Sequence, residues 1–324
     1  MTGAIEAESL SKSFGETKSV DGITFRVEES EIYGFLGSNG AGKSTTMMML
    51  TTLLRPTSGS ARVAGFDVVR EAARVRSHIG FVQQENAVDE YLTGRENLAL
   101  QAKLSRVERS DAKVRIDELL DTIGLADRQH DAAVTYSGGM KKRLDIACGL
   151  LHRPSVLFLD EPTVGLDIQT RRRIWESIRR MHREHGMTVF LSTHYMEEAD
   201  ELCDRVCIID EGKIRAVGRP GEMKGRMGRD VITMETGGSA RRLADRMRTM
   251  RGVKSVDVRG DSVTAYVQDG AGMMPAIFGE ADSLGVTIRA VSMSKPSMDD
   301  VYISYTGHQI REHGPEPRRR RRGV

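Results

Sequence analysis

The chain has 324 residues, 29% of them charged and 39% hydrophobic, the balance of a soluble globular protein with room for one large domain and a smaller one. Its formal charge of +2 hides an asymmetry, because residues 311–324 carry six Arg against Glu312 and Glu316; the remainder is slightly acidic, without the basic folded face expected of a nucleic-acid binder. No apolar run approaches the roughly 18–20 residues that span a bilayer, and Glu6 and Glu8 near the start argue against a secretory signal, so the expected location is cytoplasmic.

Ile32-Tyr33-Gly34-Phe35-Leu36 reads as a short buried strand, and Thr45 to Leu54 as a helix free of Gly and Pro. Between them Gly37-Ser38-Asn39-Gly40-Ala41-Gly42-Lys43-Ser44-Thr45 fits the phosphate-binding pattern G-x-x-x-x-G-K-[ST], at the strand-to-helix turn that the pattern needs. Glycines let backbone N–H groups curl around phosphates, and the helix N-terminus adds partial positive charge. Lys43 is then placed to reach β- and γ-phosphates, and the Ser44 hydroxyl to ligate Mg²⁺. The expected ligand is a nucleoside triphosphate.

A helical insertion follows over about residues 86–150, in which Ile116, Leu119, Leu120 and Ile123 recur at helical spacing as a core-facing stripe. Near its end Ser137-Gly138-Gly139 precedes an amphipathic helix with Met140, Leu144, Ala147 and Leu151 on one stripe. This is a second anion cradle, and one triphosphate hardly needs two within a subunit. Two copies packed head to tail would each lend it to the other. Val156 to Asp160 reads as a buried strand ending in the carboxylates Asp160 and Glu161, and Thr188 to Thr193 as a strand that delivers His194. Cys148, Cys203 and Cys207 are odd in number and lack metal-ligand spacing; they are expected to be reduced packing residues. From about Gly225 the pattern becomes strand 231–235, helix 240–250, strands 253–258 and 262–267, helix 273–284 and strand 287–293. That βαββαβ order suggests a ferredoxin-like unit.

Taken together, residues 1–224 resemble the ATP-binding subunit of an ABC transporter. The resemblance implies an α/β fold, a P-loop NTPase domain of ABC type with its helical insertion; the element pattern beyond it predicts a small α+β domain over 225–310, and the composition a disordered tail over 311–324. It also implies ATP and Mg²⁺ as cofactors. Asp160 would hold Mg²⁺ through water, Glu161 would polarise the attacking water, and His194 would contact the γ-phosphate; phosphoryl transfer asks mainly for positioning and charge neutralisation. Gly165-Leu166-Asp167 resembles the loop that communicates across the dimer. Gln84 matches the glutamine that senses Mg²⁺ and the transport partner, Phe14 the aromatic that stacks on adenine, and Ser137, Gly138 and Gly139 the signature that closes the partner's ATP site.

Three positions depart from the family's pattern: Ser38 stands for a common Pro, Gln83 for the Pro before the glutamine, and Met140 for the signature Gln. The run Tyr136 to Asp145 and the segment Asn86 to Gly94 are similar to the daunorubicin-resistance branch of exporters, as is the stretch Pro296 to Tyr302 with Thr306-Gly307. The implied function is ATP-driven export of a drug-like, lipid or other substrate through a separate ABC-2-type permease, by a homodimer of ATPase subunits on the inner face of the cell membrane. The alternative is a soluble ABC ATPase in translation or DNA repair. No nucleic-acid partner is expected, and the Arg318–Arg322 run is compatible with a solvated tail, an anionic-membrane contact or a nucleic-acid contact.

Overall fold

The computed structural model describes residues 3–309, so the Arg318–Arg322 run lies outside the described residues. Its contacts divide these residues into two units that meet in sequence at Val217 and Gly218.

The first unit begins with β1 (Ile5–Phe14), β2 (Thr17–Val27), β3 (Ile32–Leu36), α1 (Lys43–Leu50), β4 (Ser58–Val63), β5 (Phe66–Asp67), α2 (Ala72–His78) and β6 (Ile79–Val82). The insertion supplies α3 (Gly94–Leu104), α4 (Arg109–Thr122) and α5 (Gly138–Leu150). Then come β7 (Val156–Asp160), α6 (Ile168–His185), β8 (Thr188–Thr193), α7 (Met196–Leu202), β9 (Arg205–Asp210) and β10 (Lys213–Gly218). One sheet has the order β2-β1-β4-β5 and is antiparallel; the other runs β10-β9-β3-β8-β7-β6, with β3 parallel to β8 and β9, and β7 parallel to β6 and β8.

Every residue of β3 and β8 is buried, which is why both read as unbroken rather than alternating patterns: a parallel sheet covered on both faces needs apolar side chains on both. Phe25 of the antiparallel sheet meets Tyr33, Phe35 and Phe190 of the parallel one at centroid distances of 5.6–6.0 Å, and Met47, Met49 and Leu50 of α1 join this core. β3, β7 and β8 run in parallel and end at Leu36, Asp160 and Thr193. Their carboxyl ends therefore open on one edge, where ligands of open α/β sheets bind.

Helix α1 stops at Leu50, four residues before the end expected from its composition. The Thr51 hydroxyl donates to the Met47 carbonyl at 2.9 Å and Thr52 adopts φ 67°, so local hydroxyl bonding and a left-handed residue close the helix. In the insertion, Ile116, Leu119, Leu120 and Ile123 are all buried, and α4 packs against α3, α5 and α6. A capping box at Thr93 and Glu96 starts α3.

The second unit contains α8 (Pro220–Met227), β11 (Asp230–Thr236), α9 (Ala240–Arg248), β12 (Val253–Arg259), β13 (Ser262–Val267), α10 (Gly270–Ser283), β14 (Ile288–Ser294) and α11 (Met298–Thr306). Its antiparallel sheet has the order β12-β13-β11-β14, the ferredoxin-like arrangement in which the first strand lies between the third and the fourth. Ile232, Met234, Leu243, Met247, Val263 and Ile277 form its core. Helix α8 groups with this unit, although the change in sequence pattern at Gly225 falls inside it. Helix α10 begins three residues earlier than its apolar pattern because Asp269 caps it, accepting from the Gly272 N–H at 3.0 Å.

Candidate active site

A cavity of about 640 Å³ lies at the carboxyl edge of the parallel sheet, lined by Asn39, Gly40, Gly42, Lys43, Ser44 and Thr45 from the glycine loop, with Gln84, Glu161 and His194 facing them. The loop's shape is forced at two glycines. A Cβ on Gly37 would lie 2.4 Å from the Ile209 carbonyl oxygen, and one on Gly42 would lie 2.6 Å from the Ser19 carbonyl oxygen, with φ 105° besides. Gly42 also caps α1 without a side chain, so no capping oxygen competes for the N–H groups of its first turn. Gly37, Ser38 and Ala41 are buried beneath the cavity, and the Gly37 N–H donates to the Thr193 carbonyl at 3.2 Å, which ties the loop to the strand carrying His194.

Lys43 is 4% exposed and donates to the carbonyls of Gly37 at 2.8 Å and Ser38 at 3.1 Å, while its Nζ lies 3.1 Å from Glu161 Oε1. Burial pushes its ammonium below the ordinary value, and Glu161 and Asp160 offset this only in part. Burial also pushes the Glu161 carboxyl up, but the nearness of His194 and Lys43 outweighs it, so the group is held below the usual carboxylate range. His194 Nδ1 sits 3.1 Å from Glu161 Oε2 without a hydrogen-bond geometry. Glu161 is itself in the left-handed region at φ 46°, and its N–H is fixed by the Ser192 hydroxyl at 3.1 Å and the Ser192 carbonyl at 3.2 Å. Such a conformation persists only where the surroundings over-determine it, and it aims the carboxylate at Lys43.

Behind Glu161, Asp160 Oδ1 accepts from Ser44 Oγ at 3.3 Å and from Ser192 Oγ at 2.5 Å. A hydroxyl and a carboxylate side by side are hard oxygen donors of the kind Mg²⁺ takes one or two of, completing its shell with waters and phosphate. Among the described residues no group of three or more His, Cys, Asp or Glu could hold a metal ion.

Two expected groups stand apart from this cavity. Ser137 caps α5, accepting from the Met140 N–H at 3.3 Å; Ser137 and Gly138 are exposed, and none of Ser137, Gly138 and Gly139 lines the cavity. The turn instead packs on the start of α6, where a Cβ on Gly139 would fall 2.3 Å from Thr170 Cγ2. Phe14, at the end of β1, is 53% exposed with Lys12 Nζ 5.2 Å from its ring centre, and it too is absent from the lining.

The sequence of residues 20–164 matches the ABC transporter family, and residues 218–306 match the C-terminal domain of ATP-binding proteins of the DrrA1-3 type. The daunorubicin/doxorubicin resistance ATP-binding protein DrrA of Streptomyces peucetius is 40% identical over 97% of this chain and 96% of its own. This chain is an ABC transporter ATP-binding protein. The linearmycin resistance ATP-binding protein LnrL of Bacillus subtilis is 35% identical, covering 95% of this chain and all of its own length. Among solved structures, CbiO1 of Clostridium perfringens, part of an ABC transporter complex, superposes with a TM-score of 0.64 at 28% identity, over 68% of this chain and 90% of its own. ATP binding and hydrolysis are therefore the chemistry of this ABC protein.

Several residues of the ABC site carry no signal in the sequence. Ser192, one position before a strand's last residue, holds both Asp160 and the Glu161 amide. Ser19 pairs its hydroxyl with Thr45 at 2.9 Å. Arg171, from the first turn of α6, stacks on Tyr195 at 4.0 Å and lines the cavity beside His194. Glu198 joins Thr163 and Trp175, its Oε1 accepting at 2.9 and 2.8 Å. Among the cysteines, Cys203 and Cys207 are buried and Cys148 half-buried, all with free thiols; burial pushes the Cys207 thiol up to about 12, which makes it inert.

Proposed function

We propose that the protein is the ATP-hydrolysing subunit of an exporter, acting as a homodimer against a separate ABC-2-type permease at the inner face of the cell membrane. The observation that carries this reading is an incomplete site. Lys43, Glu161 and His194 converge on one cavity, while Ser137 and Gly138 are exposed and none of Ser137, Gly138 and Gly139 lines that cavity. A second copy placed head to tail supplies that turn, and the arrangement repeats by two-fold symmetry at the other site. Export is supported by the relatives named for daunorubicin/doxorubicin and linearmycin resistance, which this chain matches over nearly its whole length.

In this reading Lys43 and the loop amides neutralise the phosphates, and Ser44, Asp160 and Gln84 would hold Mg²⁺, which would supply positive charge to the phosphates. Glu161 orients the attacking water and takes its proton, which a carboxylate held ionised is suited to do. His194 and the glycine loop move together through the Thr193–Gly37 bond, so loss of the γ-phosphate is felt in the loop that binds it. Phe14, exposed and at the end of a strand, is free to stack on adenine. No helix among the described residues is long and apolar enough to cross a membrane, and in this reading a separate permease carries the substrate path.

The test mixes two inactive proteins. Lys43→Ala lacks the phosphate cation, and Ser137→Arg blocks the signature turn. In a heterodimer, one site takes its loop from the Ser137→Arg copy and its turn from the Lys43→Ala copy, so ATP hydrolysis returns in part on mixing. A strictly monomeric, fully active wild-type protein would refute the shared site.

A further inference from the structure

The Gln83–Ala87 segment leaves the parallel sheet at Val82 and places Gln84 in the ATP cavity. It is gripped from α5. Lys142, 5% exposed in the second turn of that helix, donates through Nζ to the Gln83 carbonyl at 2.8 Å and to the Gln84 carbonyl at 3.1 Å. One turn further on, Asp145, also 5% exposed, faces Lys142 at 3.5 Å and interacts with the Ala87 backbone N–H. Two buried opposite charges on one helix thus hold both ends of a loop about 60 residues earlier in the chain.

The pair is a poor choice for stability alone. Burial pushes Lys142 below and Asp145 above their ordinary values, so each pays for its charge, and Asp145 Oδ2 is buried without a hydrogen bond. A buried ion pair of this kind is commonly matched or bettered by apolar side chains of similar size. What an apolar pair cannot do is hold two backbone carbonyls.

We propose that Lys142 and Asp145 are positioning residues that make the Gln83–Ala87 segment and α5 move as one body. The place of Gln84 in one ATP site is then set together with the Ser137–Gly139 turn that the same helix offers to the other copy. This rests on the shared-site reading above and deepens it: nucleotide sensed by Gln84 is passed through two carbonyls to the helix whose first turn closes the partner's site. The phosphate loop contributes nothing to the clamp, so ATP affinity and turnover separate when it is broken.

The experiment compares full-length wild type, Lys142→Arg, Lys142→Met and the double variant Lys142→Met/Asp145→Leu in steady-state hydrolysis of MgATP, with thermal melts. The double variant removes both charges together, so no uncompensated charge is left to unfold the chain. The expected result is a melting temperature close to wild type, a KM within about threefold, and a kcat at least about tenfold lower, with Lys142→Arg recovering to within about threefold of wild type. Hydrogen exchange with MgATP present then slows in the phosphate loop of the double variant but no longer at the start of α5. A double variant with wild-type kcat and wild-type protection of α5 overturns the clamp. So does a loss of kcat that follows melting temperature across all variants without rescue by Arg, which marks a packing role only. Wild-type protein that neither binds nor hydrolyses ATP overturns the functional reading itself, and the clamp with it.

Discussion

Replacing Glu161 by Gln should slow hydrolysis and, at the same time, tighten ATP binding, and the second effect is the more discriminating. Without nucleotide the Lys43 ammonium is held by Glu161 at 3.1 Å, which at an effective dielectric near 20 is a gross attraction of about 5 kcal/mol. Most of this is spent on desolvating two charges that are 4% and 9% exposed, leaving a net contact of about 1–2 kcal/mol. An incoming triphosphate must draw Lys43 away from that contact and sit beside a carboxylate. Gln keeps the shape and an acceptor oxygen but removes the competing charge, so MgATP should bind roughly 5–30-fold tighter. Turnover should fall by about 10²–10⁴, the usual worth of a general base.

Calorimetric titration of MgATP into both proteins in the cold, with phosphate release measured in parallel, reads the two effects separately. ATP affinity that is unchanged or weaker in Glu161→Gln would show that the Lys43–Glu161 contact does not compete with nucleotide; undiminished phosphate release would remove Glu161 from catalysis. The same pair has a pH signature. The Glu161 carboxyl is held below its usual range, so its contribution to folding is present above the unfolded value and is lost as pH falls through the lowered folded one. Nucleotide-free wild type should therefore melt above Glu161→Gln at neutral pH, with the difference closing in acid.

Two further predictions concern the shell around the site. Gly139→Ala sets a Cβ 2.3 Å from Thr170 Cγ2 and should destabilise by about 1–3 kcal/mol in chemical denaturation, whereas adding Thr170→Ser, which removes only that methyl, should recover most of the loss; a neutral Gly139→Ala would contradict the packing. Burial pushes the Glu198 carboxyl above its ordinary range, against the hydrogen bonds from Thr193, Trp175 and Thr163. The folded state then holds a proton that the unfolded state releases, and stability falls as pH rises from the ordinary carboxylate range towards the raised value. Glu198→Gln keeps the hydrogen-bonding shape without the titration, so its melting temperature relative to wild type should rise as pH is raised above the ordinary carboxylate range; parallel curves would show that Glu198 does not titrate in the folded state.

What the sequence displays of this molecule follows the range of the interactions involved. The phosphate loop is legible because its pattern is local: a strand, a run of glycines and a helix start are consecutive, although the carbonyls that forbid a side chain at Gly37 and Gly42 belong to Ile209 and Ser19 on other strands. The strands ending at Asp160 and Thr193 are legible because a parallel sheet buried on both faces leaves unbroken apolar runs. The end of α1 is less so, since it depends on a hydroxyl at Thr51 competing for a carbonyl, which composition does not weigh. Least visible are the bonds that close the site across the chain. Ser192 gripping Asp160, Arg171 stacked on Tyr195 and Lys142 holding the Gln83 and Gln84 carbonyls join residues on separate elements, and each side chain alone reads as an ordinary strand or helix residue. Lys142 is the sharpest case, because a lysine in a polar turn after Ser-Gly-Gly suggests a solvated face, yet here it is buried. The carbonyls that explain its burial belong to a loop whose position only the folded sheet decides. Local pattern therefore marks where nucleotide chemistry sits, whereas the coupling between its parts is written in pairs that become neighbours only once the insertion has packed.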